Sequence, residues 1–141
     1  MKNWICNNNV ISINYFQQVL QNTDNIQEIS SLFSSRSDGV FKGCIGALDG
    51  WLVKIICPTN EKVENPGKYF SRKGFYAMNV QVIVDMKKRV LWRFIGEKGS
   101  AHDSPVFNES KLGIFMFDYA ASFLAKGLYL FGDSAYVLRP Y

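Results

Sequence analysis

The stretch Leu128-Tyr129-Leu130-Phe131-Gly132-Asp133-Ser134-Ala135-Tyr136 sets an apolar run against an abrupt Gly-Asp-Ser stop. A short apolar run bounded by glycine reads as a buried strand. An acid at the carboxyl end of such a strand stands where open α/β sheets receive their ligands. The sequence ends five residues after Tyr136, so a sheet built around this strand is expected to be incomplete on its C-terminal side.

Upstream of the strand, Ser104-Pro105 reads as an N-cap with proline at the first helical position. Phe107, Leu112, Phe115, Met116, Tyr119 and Phe123 continue at mixed helical spacing to a stop at Lys126-Gly127, with a break expected near Gly113. Before that helix come two strand-like runs, Asn79 to Val84 and Val90 to Ile95, joined as a hairpin by a turn containing Lys87-Lys88-Arg89. The longest apolar run, Cys44 to Cys57, ends at Pro58 and contains a single acid, Asp49. A polar loop turning at Asn65-Pro66-Gly67 and a basic, aromatic stretch from Tyr69 to Tyr76 separate that run from the hairpin. Ahead of Val40, Phe16, Val19 and Leu20 make one helical stripe, and Ile26, Ile29 and Phe33 make a second behind a cap at Thr23 or Asp24. The order is helix, helix, then β-β-β-α-β. Three strands on short links followed by a helical crossover predict an α/β fold with a mixed sheet whose fourth strand is parallel to an earlier one. The expected division is a helical segment over residues 1–39 and a sheet domain over residues 40–141.

The 141 residues suit one ordinary domain, and 48% hydrophobic content supports a packed core rather than disorder. The net charge of +4 is compatible with a nucleic-acid partner and equally with an ordinary basic protein. Cys6, Cys44 and Cys57 have no CxxC spacing and cannot all pair, which favours reduced, buried thiols. The first residues lead into an Asn cluster rather than an apolar h-region, so no signal peptide is expected, and no apolar run approaches the 18 or so residues of a membrane span.

The acids carry the functional reading. Asp49 inside an apolar strand is costly unless compensated, and a metal ion is one compensation; the other reading is an Asp49-Gly50 hairpin turn. Asp133 ends its strand as a metal ligand or as a helix N-cap. Asp103 lies beside the single histidine, His102, and reads either as a site acid or as a cap shared with Ser104. Asp85 reads as a solvated turn acid. Ser134 ends a Gly-Asp-Ser of the kind that one group of serine esterases carries near its N-terminus, but a nucleophile here has no later histidine. Carboxylates converging from separate strands suit Mg²⁺ or Mn²⁺, which prefer oxygen ligands and serve in-line phosphoryl displacement. Arg72, Lys73, Arg93 and Lys98 could hold a phosphate backbone beside them, while Lys87, Lys88 and Arg89 read as a solvated hairpin tip.

Five motifs in order resemble the PIF/Harbinger-type transposases of the DDE superfamily endonucleases. They are Gly46-Ala47-Leu48-Asp49-Gly50, Tyr69-Phe70-Ser71-Arg72-Lys73-Gly74, Asn79-Val80-Gln81, Gly99-Ser100-Ala101-His102-Asp103-Ser104 and Gly132-Asp133-Ser134-Ala135-Tyr136. The resemblance spans roughly Phe41 to Tyr141. It implies a ribonuclease-H-like fold and a divalent-metal-dependent nuclease acting on DNA in the nucleus, with Mg²⁺ or Mn²⁺ as cofactor; the lack of a long apolar run adds the expectation of no membrane association. It implies Asp49 and Asp133 as catalytic metal ligands and Asp103 as a further ligand. Arg72, Lys73 and Lys98 are the expected nucleic-acid contacts. A separate DNA-binding protein is an expected partner. Two departures stand out. Trp51-Leu52 follows Asp49-Gly50 where the family has a small or polar residue and then histidine. The family's third acid, a glutamate on a later helix, would fall beyond Tyr141. The expectation is therefore an incomplete domain, with an inactive or domesticated binding relic as the alternative to a nuclease.

Overall fold

Four strands form one mixed sheet in the computed structural model, which describes residues 15, 16 and 18–137. Strands β1 (Cys44–Lys54), β2 (Ala77–Val84) and β3 (Val90–Lys98) are antiparallel neighbours. Strand β4 (Tyr129–Gly132) lies parallel to β1 on its other side, giving the order β3-β2-β1-β4. This is the β-β-β-α-β sheet read from the sequence, consistent with a ribonuclease-H-like α/β fold. The crossover from β3 to β4 runs through helices, as a parallel pair requires. Where it closes, Gly43 and Gly127 meet backbone to backbone. A Cβ on Gly43 would lie 2.1 Å from the Gly127 carbonyl oxygen, and the Gly43 φ of +89° suits glycine alone.

The crossover differs from the sequence reading. It comprises three helices, α2 (Asp103–Glu109), α3 (Lys111–Asp118) and α4 (Ala120–Ala125), with α1 (Thr23–Arg36) ahead of the sheet. The first break falls at Ser110, whose hydroxyl accepts the Gly113 N–H at 3.0 Å and donates to the Phe107 carbonyl at 2.6 Å. Gly113 sits inside α3 because a Cβ there would strike the Phe107 carbonyl oxygen at 2.1 Å. The cap of α2 is His102, not Ser104. Ser104 is buried in the first turn, and its hydroxyl accepts the Val137 N–H at 3.2 Å. Asn22 caps α1 rather than Thr23 or Asp24, taking the Asp24 and Asn25 N–H groups on its side-chain oxygen. Strand β1 stops at Lys54 because its partner β2 begins at Ala77. Strand β4 is half exposed along its length rather than buried, since it is the edge of the sheet.

One core joins the helices to the sheet. Phe16, Ile26, Ile29 and Phe33 bury against Ile45, Leu48, Ile83 and Trp92, together with Phe107, Leu112, Met116 and Phe123. Full burial of each such side chain contributes about 1.5–3 kcal/mol. Trp92 meets the Phe107 ring edge-on at 5.8 Å, which ties β3 to α2. Cys44 is a buried thiol whose pKa burial raises, but Cys57 is exposed beyond the end of β1, and Cys6 lies outside the described residues. Among the described residues no helix is long and apolar enough to cross a membrane.

Lys87, Lys88 and Arg89 are exposed at the tip of the β2–β3 turn, as read from the sequence, but the turn is tied down beneath them. Asp85, only 4% exposed, accepts the Lys87 and Arg89 N–H groups and pairs with the Arg89 guanidinium at 2.6 Å. Lys87 pairs with Glu28, and Arg36 donates to the Met86 carbonyl at 3.0 Å, so helix α1 is fastened to this turn. Replacing Asp85 by alanine strands two backbone donors, and chemical denaturation is expected to register a loss of about 1–3 kcal/mol. A midpoint equal to wild type would mean that the turn holds without its carboxylate.

Candidate functional site

β1 leaves the core in mid-strand. Its burial falls from Cys44, Ile45 and Leu48 inward to Asp49, Trp51, Val53 and Lys54 outward. Asp49 stands at that change. Its partner across the sheet is Val82, and Gly50 pairs with Gln81, so Asp49-Gly50 is continuous strand and no turn. Asp49 is exposed, with its Oδ1 accepting the Gly50 N–H at 2.8 Å. The burial cost that marked Asp49 in the sequence is therefore absent; the apolar run around it is buried only before it.

The parallel register brings the second acid alongside. Leu48 lies opposite Gly132, so Asp49 and Asp133 are the next residues on adjacent parallel strands. Asp133 is exposed and folds the chain back into a tight turn, in which its Oδ1 accepts the Ala135 N–H at 2.9 Å and its carbonyl accepts the Tyr136 N–H at 3.2 Å. Asp133 caps this turn, not a helix, within the described residues.

Asp103 enters from the first turn of α2 and is held by two amides on β2. Asn79 Nδ2 donates to Asp103 Oδ1 at 2.7 Å, and Gln81 Nε2 donates to the Asp103 carbonyl at 2.7 Å. Both amides are buried, at 1% and 0% exposure. The carboxylate is thereby pressed against Gly50, where a Cβ would lie 2.6 Å from Asp103 Oδ1 and 3.1 Å from the Tyr136 hydroxyl. Tyr136 itself folds over Gly132, whose Cβ would sit 3.1 Å from its ring. Burial, followed by the negative fields of Asp103, Asp49 and Asp133, raises the Tyr136 hydroxyl above the ordinary tyrosine range. One phenol thus feels all three acids.

Beside Asp103 opens a hollow of about 210 Å³, walled by Gly50, Trp51, Asn79 and His102 and by Arg72 and Lys73. The two cations are exposed on a turn fixed by the Ser71 side chain, which donates to the Phe75 carbonyl at 2.7 Å. Gly74 completes this turn with a φ of +82°. Lys98 faces a separate hollow with Lys68 and Glu64. Trp51, 46% exposed, stands on the wall of the hollow that Asp103 shares. Ser134 is exposed in the turn after β4.

The donor chemistry suits a hard divalent cation. It is carboxylate oxygen, and Mg²⁺ commonly takes only one or two carboxylates and keeps waters for a phosphate. As the side chains stand, no group of three metal-ligating residues is gathered among the described residues. Sequence reading missed Asn79, Gln81 and Tyr136 as parts of this site. The signal was available, since two amides at alternate positions of an apolar strand face one side and require partners.

The family model for the DDE superfamily endonuclease matches residues 48–141, from Leu48 just before Asp49 to the last residue. Neither the curated proteins nor the solved structures contain a significant match to the chain. Gly50→Ala is expected to push Asp103 and Tyr136 aside while leaving β1 paired. If the carboxylates hold a cation, Mn²⁺ affinity measured by calorimetry should fall about ten-fold or more, in line with the loss of a supporting contact at a candidate ligand. Wild-type affinity in this variant would show that the close approach at Gly50 has no bearing on the site.

Proposed function

Because the chain belongs to the DDE superfamily endonucleases, we propose that it cuts phosphodiester bonds in DNA with a divalent cation, Mg²⁺ or Mn²⁺, held by Asp49 and Asp133 with Asp103 as a further ligand. The observation that carries this reading is the parallel register of Leu48 with Gly132, which puts Asp49 and Asp133 next to each other in the sheet, with Asp103 Oδ1 against the adjacent Gly50. Acids drawn from β1, β4 and α2 repel one another, and a cation offsets that repulsion. When bound, the cation neutralises charge on the scissile phosphate and activates a water or hydroxyl for in-line attack. Asn79 and Gln81 hold Asp103 in place, so its carboxylate needs little rearrangement to bind. Arg72 and Lys73, on the rim of the same hollow, pair with backbone phosphates and seat the strand beside the acids. Lys98 extends the basic track outside that hollow. The finer assignment to PIF/Harbinger-type transposases rests on the five ordered motifs, and with it come nuclear action and a separate DNA-binding partner.

A second reading, binding of nucleic acid without cleavage, is favoured by the lack of a ready-made three-residue metal cluster among the described residues. Supercoiled plasmid separates the two readings. Nicking in Mn²⁺ that EDTA abolishes, and that drops at least a hundred-fold in Asp49→Ala and in Asp133→Ala, is the expected result. Retention of plasmid with no nicking at any cation concentration would replace the nuclease by the binding protein.

A further inference from the structure

Among the described residues, the buried polar side-chain atoms without a hydrogen-bond partner are Asn79 Oδ1, Gln81 Oε1 and Tyr136 Oη. All belong to residues around Asp103. Asn79 and Gln81 bond to it, and Tyr136 Oη abuts the same point at Gly50 as Asp103 Oδ1. Buried polar atoms in native proteins are nearly always satisfied, by protein or by a bound oxygen. Gathering all of these atoms on residues around Asp103 marks a place where something binds.

Tyr136 is the member with a proton to give and no acceptor. Its ring is held on several sides. It stands edge-on to Phe107 at 6.2 Å and covers Gly132. Its own N–H is bonded to the Asp133 carbonyl, and the next N–H, of Val137, is bonded to the Ser104 hydroxyl. The phenol is thus fixed with its hydroxyl toward the gap that Gly50 leaves. The hydroxyl is buried and no protein group accepts its proton.

We propose that the Tyr136 hydroxyl is a ligand-contacting group of the site, donating a hydrogen bond to an oxygen bound beside Gly50, either a water of the divalent cation or a phosphate oxygen of DNA. The inference rests on the metal-dependent reading above and adds to it a residue that is neither an acid nor a cation. It also gives Gly50 and Gly132 a shared purpose. Each lies next to a proposed site acid in sequence, and each leaves space for part of the same side chain, Gly50 for its hydroxyl and Gly132 for its ring.

Tyr136→Phe removes the hydroxyl and keeps the ring. Mn²⁺ binding is measured by calorimetry on wild type and variant, first with the cation alone and then as binding of a short DNA duplex to the Mn²⁺-loaded protein. Thermal unfolding is followed without cation. The expected result is an unfolding temperature equal to or above wild type, with a loss of about ten-fold in one affinity. Loss with Mn²⁺ alone assigns the acceptor to a cation-bound water; loss only with duplex assigns it to phosphate. Both affinities at wild-type values, whatever the unfolding temperature, would overturn the proposal. Should Tyr136→Phe fail to fold, Gly132→Ala, which displaces the ring without removing the hydroxyl, carries the same test with the same outcomes. A wild type that binds no Mn²⁺ would instead defeat the metal-dependent reading itself.

Discussion

The parallel pairing of β4 with β1 is the constraint on which the site depends. Two strands running the same way end at the same edge of the sheet, so the acids that follow Leu48 and Gly132 emerge side by side. An antiparallel β4 would send Asp133 to the opposite edge. The pairing requires a crossover, which α2, α3 and α4 supply, and that crossover brings Asp103 to the same edge from its first turn. The backbone approach of Gly43 to Gly127 closes the crossover at its other end. Fold and site are therefore one arrangement: the connection that makes the sheet mixed also delivers the third carboxylate.

The charges of the chain fall into a structural cluster and an exposed pair beside the candidate site. Asp85, Arg89, Glu28 and Lys87 form a cluster that fastens α1 to the β2–β3 turn, and Lys87 holds the Glu28 carboxyl below its ordinary range. These groups are spent on docking a helix. Arg72 and Lys73, by contrast, are exposed on the rim of the hollow beside Asp103. Net charge alone could not separate these groups. What separates them is the element that carries each: a turn packed under a helix in one case, a turn projecting beside the acids in the other.

Element order, the mixed sheet and the stripes of α1 were legible in the sequence because hydrophobic period and glycine punctuation record them directly. The places where reading failed have local physical causes. Ser104 looked like a cap but bonds the chain after β4, a partner 33 residues away that no local pattern encodes. The break read near Gly113 falls at Ser110, while Gly113 itself is a packing contact with Phe107. Asp85 looked solvated because its partners, two backbone N–H groups and Arg89, become visible only when the turn is folded. Asp49 was singled out for a burial it does not have, since an apolar run does not reveal where a strand leaves its core. Asp103 was weighed between cap and site, and its support by Asn79 and Gln81 depends on register across β2 and α2. The sequence offered Asp103 as a candidate; the amides that hold it are visible only in the fold.

The claim that the three carboxylates form one cation site is tested most directly by titrating Mn²⁺ into the isotopically labelled protein and following its backbone amide signals. Paramagnetic broadening falls steeply with distance from the ion. The account predicts that amides of Gly50, Asp103 and Asp133 broaden first and together, and that those of the β2–β3 turn around Asp85 persist. Early broadening confined to another acidic region, such as Glu61 and Glu64, with the Gly50 and Asp133 signals intact, would contradict it.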